Sequence, residues 1–214
     1  PAYTPVKIVG ANRNGFPYVL GTNKNTEAFM PAGECSGHGL YFTDESDLPL
    51  FVIMFYGNKV AHIKLLDEED IWVEGNKCKT NQFEIVRIEP IEDYFSNLSV
   101  EKQIKAVQQD WVVIHHIKNP LEQVQLAAVQ QNGYAIQYIK NENKNISEQV
   151  QLAAVQQNGH VIQFIIHKNK TVSEQVQLAA VKQNGDAIIH IKNPSEQVQL
   201  AAVQQNGDAN SAHL

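Results

Sequence analysis

A repeated phrase constrains this chain more than anything else in it. Leu126-Ala-Ala-Val129, Leu152-Ala-Ala-Val155, Leu178-Ala-Ala-Val181 and Leu200-Ala-Ala-Val203 each sit inside a nearly identical string, E-Q-V-Q-L-A-A-V-[QK]-Q-N-G, and a fainter copy, Ile104-Lys-Ala-Val107, precedes them. The steps between copies are 22, 26, 26 and 22 residues. That is the period of a helical hairpin and the sequence sign of an α-solenoid, in which each unit buries its apolar face on the next. The expected fold class is therefore α+β: a small, mostly-β domain over residues 1–100, and an array of about four and a half two-helix units over 101–214.

Caps make the helix boundaries of the repeats legible. Asn119-Pro-Leu-Glu122, Asn145-Ile-Ser-Glu148, Thr171-Val-Ser-Glu174 and Asn193-Pro-Ser-Glu196 read as capping boxes, in which a short polar side chain accepts from the first-turn amides and a Glu three residues on reaches back. Pro120 and Pro194 then fall at the first helical position. Each first helix is expected to run about 12 residues to an Asn-Gly, with Gly133, Gly159, Gly185 and Gly207 in the left-handed conformation that ends it. A shorter second helix follows, as in Tyr134 to Lys140 and Asp186 to Lys192, with Ala135, Ile136 and Ile139, or Ala187, Ile188 and Ile191, as its apolar stripe. The four extra residues of the 26-residue steps, around Glu142–Asn145 and His167–Lys170, are expected to bulge as loops. In the first copy Asp110-Trp111 replaces Asn-Gly, and Trp111 is expected to pack against the front domain. The polar end of the chain from Gly207 reads as a closing cap.

In front of the array, residues 6–10 alternate as a strand, Asn14-Gly15 is a turn dipeptide, and Phe16 to Leu20 reads as the returning strand of a hairpin, at a sheet edge because of Pro17. Residues 21–38 read as a long loop. A short helix is expected to open at Asp44 to Asp47, with Pro49 in its first turn and an apolar body after it. Lys59 to Leu65, Ile71 to Glu74 and Phe83 to Ile88 read as strands, with an acidic turn between the first two. Cys35 and Cys78 belong to no C-x-x-C pair and read as reduced, buried thiols, a disulfide being the alternative.

The run from Gly15 to Glu89, with its Phe29, Pro31, Gly33, Cys35 and Gly39-Leu-Tyr-Phe-Thr43, resembles a domain found at the front of repeat proteins encoded by large DNA viruses of amoebae, where it commonly precedes ankyrin arrays. The repeats resemble short two-helix units, roughly V-x-L-A-A-V-x-x-N-G-x-A-L, of amoeba-associated bacteria and viruses. Neither resemblance implies a chemistry; together they imply a viral protein, inside the host cytoplasm or in the particle. Gly39-Leu-Tyr-Phe is also similar to a segment of poly-ADP-ribose-polymerase-like transferases, which would make Tyr41 the residue stacking on nicotinamide and Glu84 the catalytic glutamate of an NAD-using enzyme. The first NAD-binding motif of that family is missing, however, and only 43 residues separate the two. Read without the family, Leu40 and Phe42 are core and Tyr41 is a half-buried strand residue.

Charge narrows the partners. Residues 1–100 carry 8 Lys/Arg and 14 Asp/Glu, the whole net −6, whereas 101–214 carry 9 of each. Neither half offers a general surface for nucleic acid or an anionic membrane. No apolar run reaches the roughly 18 residues of a membrane span and no signal peptide opens the sequence, so a non-secreted, soluble protein is expected. No P-loop, G-x-S-x-G or zinc-ligand spacing is present, His115 and His116 point to different sides of a helix, and no catalytic, cofactor or metal residue is assigned.

Two features of the array remain. Twenty glutamines fall in 101–214 against Gln82 before it, and Gln123, Gln125, Gln130 and Gln131 are expected to face away from the apolar stripe as a neutral, soluble face. The residues that vary between copies gather on the second helix: Val112, Tyr134, His160 and Asp186 just after the turn, and His116, Tyr138, Phe164 and His190 four residues later. That spacing places them in a column down the stack. They are either unit-to-unit packing or an exposed flank; taken as a flank, His116, Tyr134, Tyr138, His160, Phe164, Asp186 and His190 form a surface for a protein partner, self-association included. The implied function is a protein-interaction or assembly module.

Overall fold

The computed structural model describes residues 4–9, 18–25, 39–52, 57–66, 71–141, 145–169 and 171–205. Several expectations lie outside them: the Asn14-Gly15 turn, Pro17, Cys35, most of the loop to residue 38, the apolar body at 53–56, the acidic turn at 67–70, residues 142–144, Lys170 and the end from 206. The chain divides into two units, Pro1–Asn97 and Leu98–Leu214.

In the first unit the strands are β1 (Pro5–Val9), β2 (Gly21–Lys24), β3 (Leu40–Asp44), β4 (Lys59–Leu65), β5 (Trp72–Glu74), β6 (Lys77–Thr80) and β7 (Gln82–Pro90). They form one sheet in the order β2-β7-β4-β1-β3-β6-β5, every pair antiparallel. The expected hairpin of the first two strands is not found among the described residues: β1 lies between β3 and β4, and β2 pairs with β7 at an edge. Local turn chemistry suggested neighbours, and long-range pairing of β-branched strands overrode it. The second strand occupies the start of the expected loop, and of the expected strand the described residues Tyr18 to Leu20 lie outside any strand.

Strand alternation gives the sheet two apolar faces. Val9, Leu40, Phe42, Ala61, Ile63, Cys78, Phe83 and Ile85 form one buried cluster. Val6, Val60 and His62 point the other way, where helix α1 (Ile91–Ser96) lies against β4 and β7 and buries Ile91, Tyr94 and Phe95. The expected helix after Asp44 is a 3-10 helix, η1 (Glu45–Phe51), with Asp44 Oδ1 accepting from the Ser46 amide at 3.0 Å and Pro49 inside it rather than at its start. Strand β6 and helix α1 carried no periodic signal strong enough to be read. Cys78 is buried and free.

The second unit is helical. Ten-residue helices α2 (Val100–Gln109), α3 (Glu122–Gln131), α4 (Glu148–Gln157), α6 (Glu174–Gln183) and α7 (Glu196–Gln205) carry the repeated phrase, and each packs on the next. The connecting helices are 3-10 rather than α: η2 (Trp111–His116), η3 (Gly133–Tyr138), η4 (Gly159–Val161) and η5 (Gly185–His190). Among the described copies only the third extends this segment, η4 continuing as α5 (Ile162–Lys168). His167 and Lys168 therefore extend a helix instead of bulging as a loop. The short helices bury one set per copy, Val113, Ile114 and Ile117; Ala135, Ile136 and Ile139; Val161, Ile162 and Ile165; Ala187, Ile188 and Ile191. The i, i+3 step from Ile136 to Ile139 suits three residues per turn, and each buried Ile contributes roughly 2 kcal/mol.

Candidate interaction surface

What joins one unit to the next explains the repeated residues. The expected capping boxes are displaced by two positions: Ser147 and Ser173 are the N-caps, accepting from the Val150 and Val176 amides at 3.4 and 3.3 Å, and Ser195 Oγ accepts from Val198 at 3.4 Å. The Glu that follows each Ser does not reach back. Instead Ser147 donates to Glu122, Ser173 to Glu148 and Ser195 to Glu174, so each hydroxyl caps its own helix and bonds the carboxylate of the unit before. The ladder is interrupted once, where Leu121 stands at the Ser position and α3 has no side-chain cap. Asn119 and Asn193 are not caps either. They take left-handed φ values of 46° and 52° ahead of their prolines, a conformation Asn tolerates and one that turns the two 22-residue connections.

The conserved-looking Asn-Gly pairs also work differently from expectation. Asn132, Asn158 and Asn184 each end one helix in extended backbone and cap the next, Oδ1 accepting from Tyr134, His160 and Asp186 at 2.9–3.0 Å. None of the following glycines takes a positive φ. They are small because the next unit is close: a Cβ on Gly133 would stand 2.7 Å from the Ala154 carbonyl oxygen, and one on Gly159 would be closer still to that of Ala180. Asp110 performs the Asn role in the first copy, accepting from Val112 at 3.0 Å, and burial pushes its carboxyl up. Trp111 faces no φ penalty there, and its ring lies 5.9 Å from Tyr138.

The glutamine face divides in two. Gln123, Gln130 and Gln131 are exposed, as expected, but Gln125 is buried. Its Nε2 donates to the Pro120 carbonyl at 2.7 Å, and Gln103, Gln151, Gln177 and Gln199 make the same five-residue return, at 3.2, 2.7, 3.0 and 2.9 Å. Each reaches a carbonyl just ahead of a helix start; the bond is buried at Gln125 and Gln151, where the carbonyl is cut off from water, and exposed at Gln199.

On this frame sit the varied residues. Tyr134 and Asp186 are exposed; His116, Tyr138, His160, Phe164 and His190 are half-buried, and none belongs to the buried core. They meet across units in matched pairs. Tyr134 packs T-shaped on Phe164 at 6.1 Å, His160 T-shaped on His190 at 5.7 Å, and Tyr138 receives His115 at 5.5 Å beside Trp111. His115 and His116 themselves lie edge to face at 5.2 Å. Burial and then the neighbouring His160 hold the His190 imidazole below its ordinary range. The strip is thus neither pure core nor wholly free of stacking.

In the sheet unit Gly39-Leu-Tyr-Phe is structural. Leu40 and Phe42 are buried, Tyr41 is half-buried, and Lys79, itself buried, lies 5.3 Å over the Tyr41 ring where a Cβ on Gly39 would collide with it. Tyr41 and Glu84 are not brought together: three strand spacings, roughly 14 Å, separate β3 from β7, and Glu84 faces Lys64 at 3.9 Å. A polar group that the sequence did not advertise lies on the α1 face. His62 Nε2 is 2.6 Å from Glu89 Oε1, Arg87 Nη2 reaches the same oxygen at 2.7 Å, and Tyr94 stands beside His62 with its hydroxyl donating to Glu45 at 3.2 Å. Burial and Glu45 push the Tyr94 phenol up. The register places His62 opposite Arg87, so this group fastens β4 to β7 where their pairing shifts by a residue. Among the described residues no cluster of three or more His, Cys, Asp or Glu could hold a metal ion, and no helix is long and apolar enough to cross a membrane.

No family model, curated protein or solved structure matches the chain.

Proposed function

We propose that residues 98–214 form an α-solenoid whose 3-10 edge docks a protein partner, making the chain a non-enzymatic interaction or assembly module. One observation carries this reading. The residues that differ between copies, Tyr134, Tyr138, His160, Phe164, Asp186 and His190, are the ones left half-buried or exposed, whereas the sets beneath them are uniformly buried and aliphatic. Aromatic side chains presented on a rigid scaffold supply large contact area at small entropic cost, and anchors of this kind dominate binding energy. Unit-to-unit pairing fixes their rotamers and leaves the outer faces for a ligand.

The test is a double substitution, Tyr138→Ala with Phe164→Ala, studied by thermal unfolding and by quantitative interaction mass spectrometry beside the parent chain. Unchanged unfolding with selective loss of an enriched partner supports the reading. A loss of roughly 3–5 kcal/mol per aromatic would mark the strip as core and end it. Protein composition of purified viral particles separates a particle component from a host-binding module. Nothing in the geometry favours the ADP-ribosyl-transferring alternative, which calorimetric NAD binding abolished by Tyr41→Ala would revive.

A further inference from the structure

We infer that Lys7 is a covalent-modification site, the lysine among the described residues that small aldehydes capture first. It lies on β1, held between β3 and β4 and opposite Ala61, so the backbone cannot carry it out to water. Its face is the apolar one that contains Val9, Ala61 and Cys78. Nζ donates to the Tyr41 carbonyl at 2.7 Å and sits 4.5 Å from the centre of the Tyr18 ring, which in turn stacks on Phe83 at 6.1 Å. A carbonyl and a ring face are modest partners for an ammonium, and no carboxylate of the described residues joins them. Elsewhere lysines are served differently: Lys64 has Glu84, and Lys24 and Lys105 stand in solvent.

An amine placed this way is biased toward its neutral, nucleophilic form. Burial lowers Lys7 to about 8, so that roughly a fifth is neutral at pH 7.4, against about one part in a thousand for an ordinary lysine. The groups facing it do not add charge in that range: burial and Tyr41 raise Tyr18 to about 12, and burial raises the Cys78 thiol. The step needs no redox partner. The Nζ lone pair attacks the aldehyde carbon, the C=O π pair moves to oxygen, proton transfer gives a hemiaminal, and loss of water leaves a C=N bond. Lower intrinsic nucleophilicity of a less basic amine offsets part of the gain in neutral fraction, leaving a rate advantage on the order of tenfold.

The experiment treats the full chain with sub-stoichiometric pyridoxal and cyanoborohydride, the hydride donor that traps the iminium, and follows each lysine by peptide mass spectrometry. Lys7 is expected to be labelled about ten times faster than Lys24 or Lys105 at pH 7.4. Equal or slower labelling of Lys7 overturns the inference. In the Lys7→Arg chain the fast phase should vanish; its persistence would assign it to another amine, with Lys168, which burial also lowers and which donates to the Ile139 carbonyl at 2.9 Å, as the first suspect.

Discussion

Gly75 of the sheet unit and Gly159 of the helical unit put glycine to opposite uses. Gly75, in the turn between β5 and β6, takes φ +58° with nothing within 4 Å of where a Cβ would be. Gly159 has an ordinary φ and no room, because the Ala180 carbonyl and Gln183 Oε1 lie where a side chain would go. Gly75 serves conformation and Gly159 serves distance; the sheet unit also has a glycine of the second kind, Gly57, whose Cβ would stand 2.7 Å from the Val9 carbonyl oxygen. A contrast between the two units runs through their polar groups. The helical unit settles buried carbonyls and most helix starts by a rule copied from unit to unit, as with Gln125, Gln151, Ser147 and Ser173. The sheet unit settles its own one at a time, with Lys7 on a ring face and His62 shared with Arg87 and Glu89. A repeated solution is rigid and redundant, whereas a singular one leaves an odd group with unusual chemistry.

The sharpest way to break this comparison is to place an alanine at each kind of glycine. Gly159→Ala forces the next unit to move and should cost roughly 2–3 kcal/mol as an overpacking strain. Gly75→Ala meets open space and should cost about 1 kcal/mol for its left-handed backbone. Thermal unfolding of the two variants decides it: equal losses would mean that the repeat glycine serves conformation after all.

Lys7→Met comes next in size. With a folded pKa of about 8 below the ordinary 10.5, the native state binds fewer protons than the unfolded chain between those values, so stability from this group grows as pH rises through the window. The full shift would amount to about 3 kcal/mol, and roughly 1–2 kcal/mol is expected for a half-buried side chain. Denaturant midpoints should rise from pH 7.5 to 9.5 in the parent and stay flat in Lys7→Met. Parallel slopes would show that burial does not perturb this amine.

Much of the helical unit could be read in advance because its rule is stated five times. The apolar sets at Ala135, Ile136, Ile139 and Ala187, Ile188, Ile191 follow from side-chain spacing, which survives the change from α to 3-10 geometry. Other properties are invisible to one unit read alone: the space around Gly133 belongs to Ala154, and the partner of Ser147 is Glu122, 25 residues back. Ser and Glu adjacent in sequence look like a capping box shifted out of frame; only stacking sends the two side chains to different units. In the sheet unit strand existence was legible from Val60 to Leu65, but strand order was not, since β2 and β7 meet across some sixty residues and no local residue encodes that pairing. The matched pairs of the strip were half legible, as a column, while the offset that sets Tyr134 on Phe164 rather than on Tyr138 needed coordinates.

A smaller effect tests whether the copied Ser–Glu contact is more than a cap. Ser173→Ala should cost about 1 kcal/mol, most of it the lost N-cap. Glu148→Ala, at an exposed site, should cost a few tenths. A double-mutant cycle with a coupling of about 0.5 kcal/mol would show that the rung between units contributes. Zero coupling would reduce the ladder to three independent caps.

The smallest predicted effect concerns the His160–His190 pair, where the copied unit carries a singular group of its own. Burial and His160 lower the folded pKa of His190, so the native state resists a proton that the unfolded chain accepts. The stability tied to this group is complete above the unfolded value near 6.5 and declines as pH falls below it. The ring is only half-buried and solvent screens it, which keeps the effect below that of a lost cap. Unfolding midpoints between pH 7 and 5 should therefore fall slightly further for the parent than for His190→Gln. The reverse ordering would mean that the folded strip takes up a proton more readily than the unfolded chain and carries positive charge at acid pH, which would direct the search for a partner toward acidic surfaces.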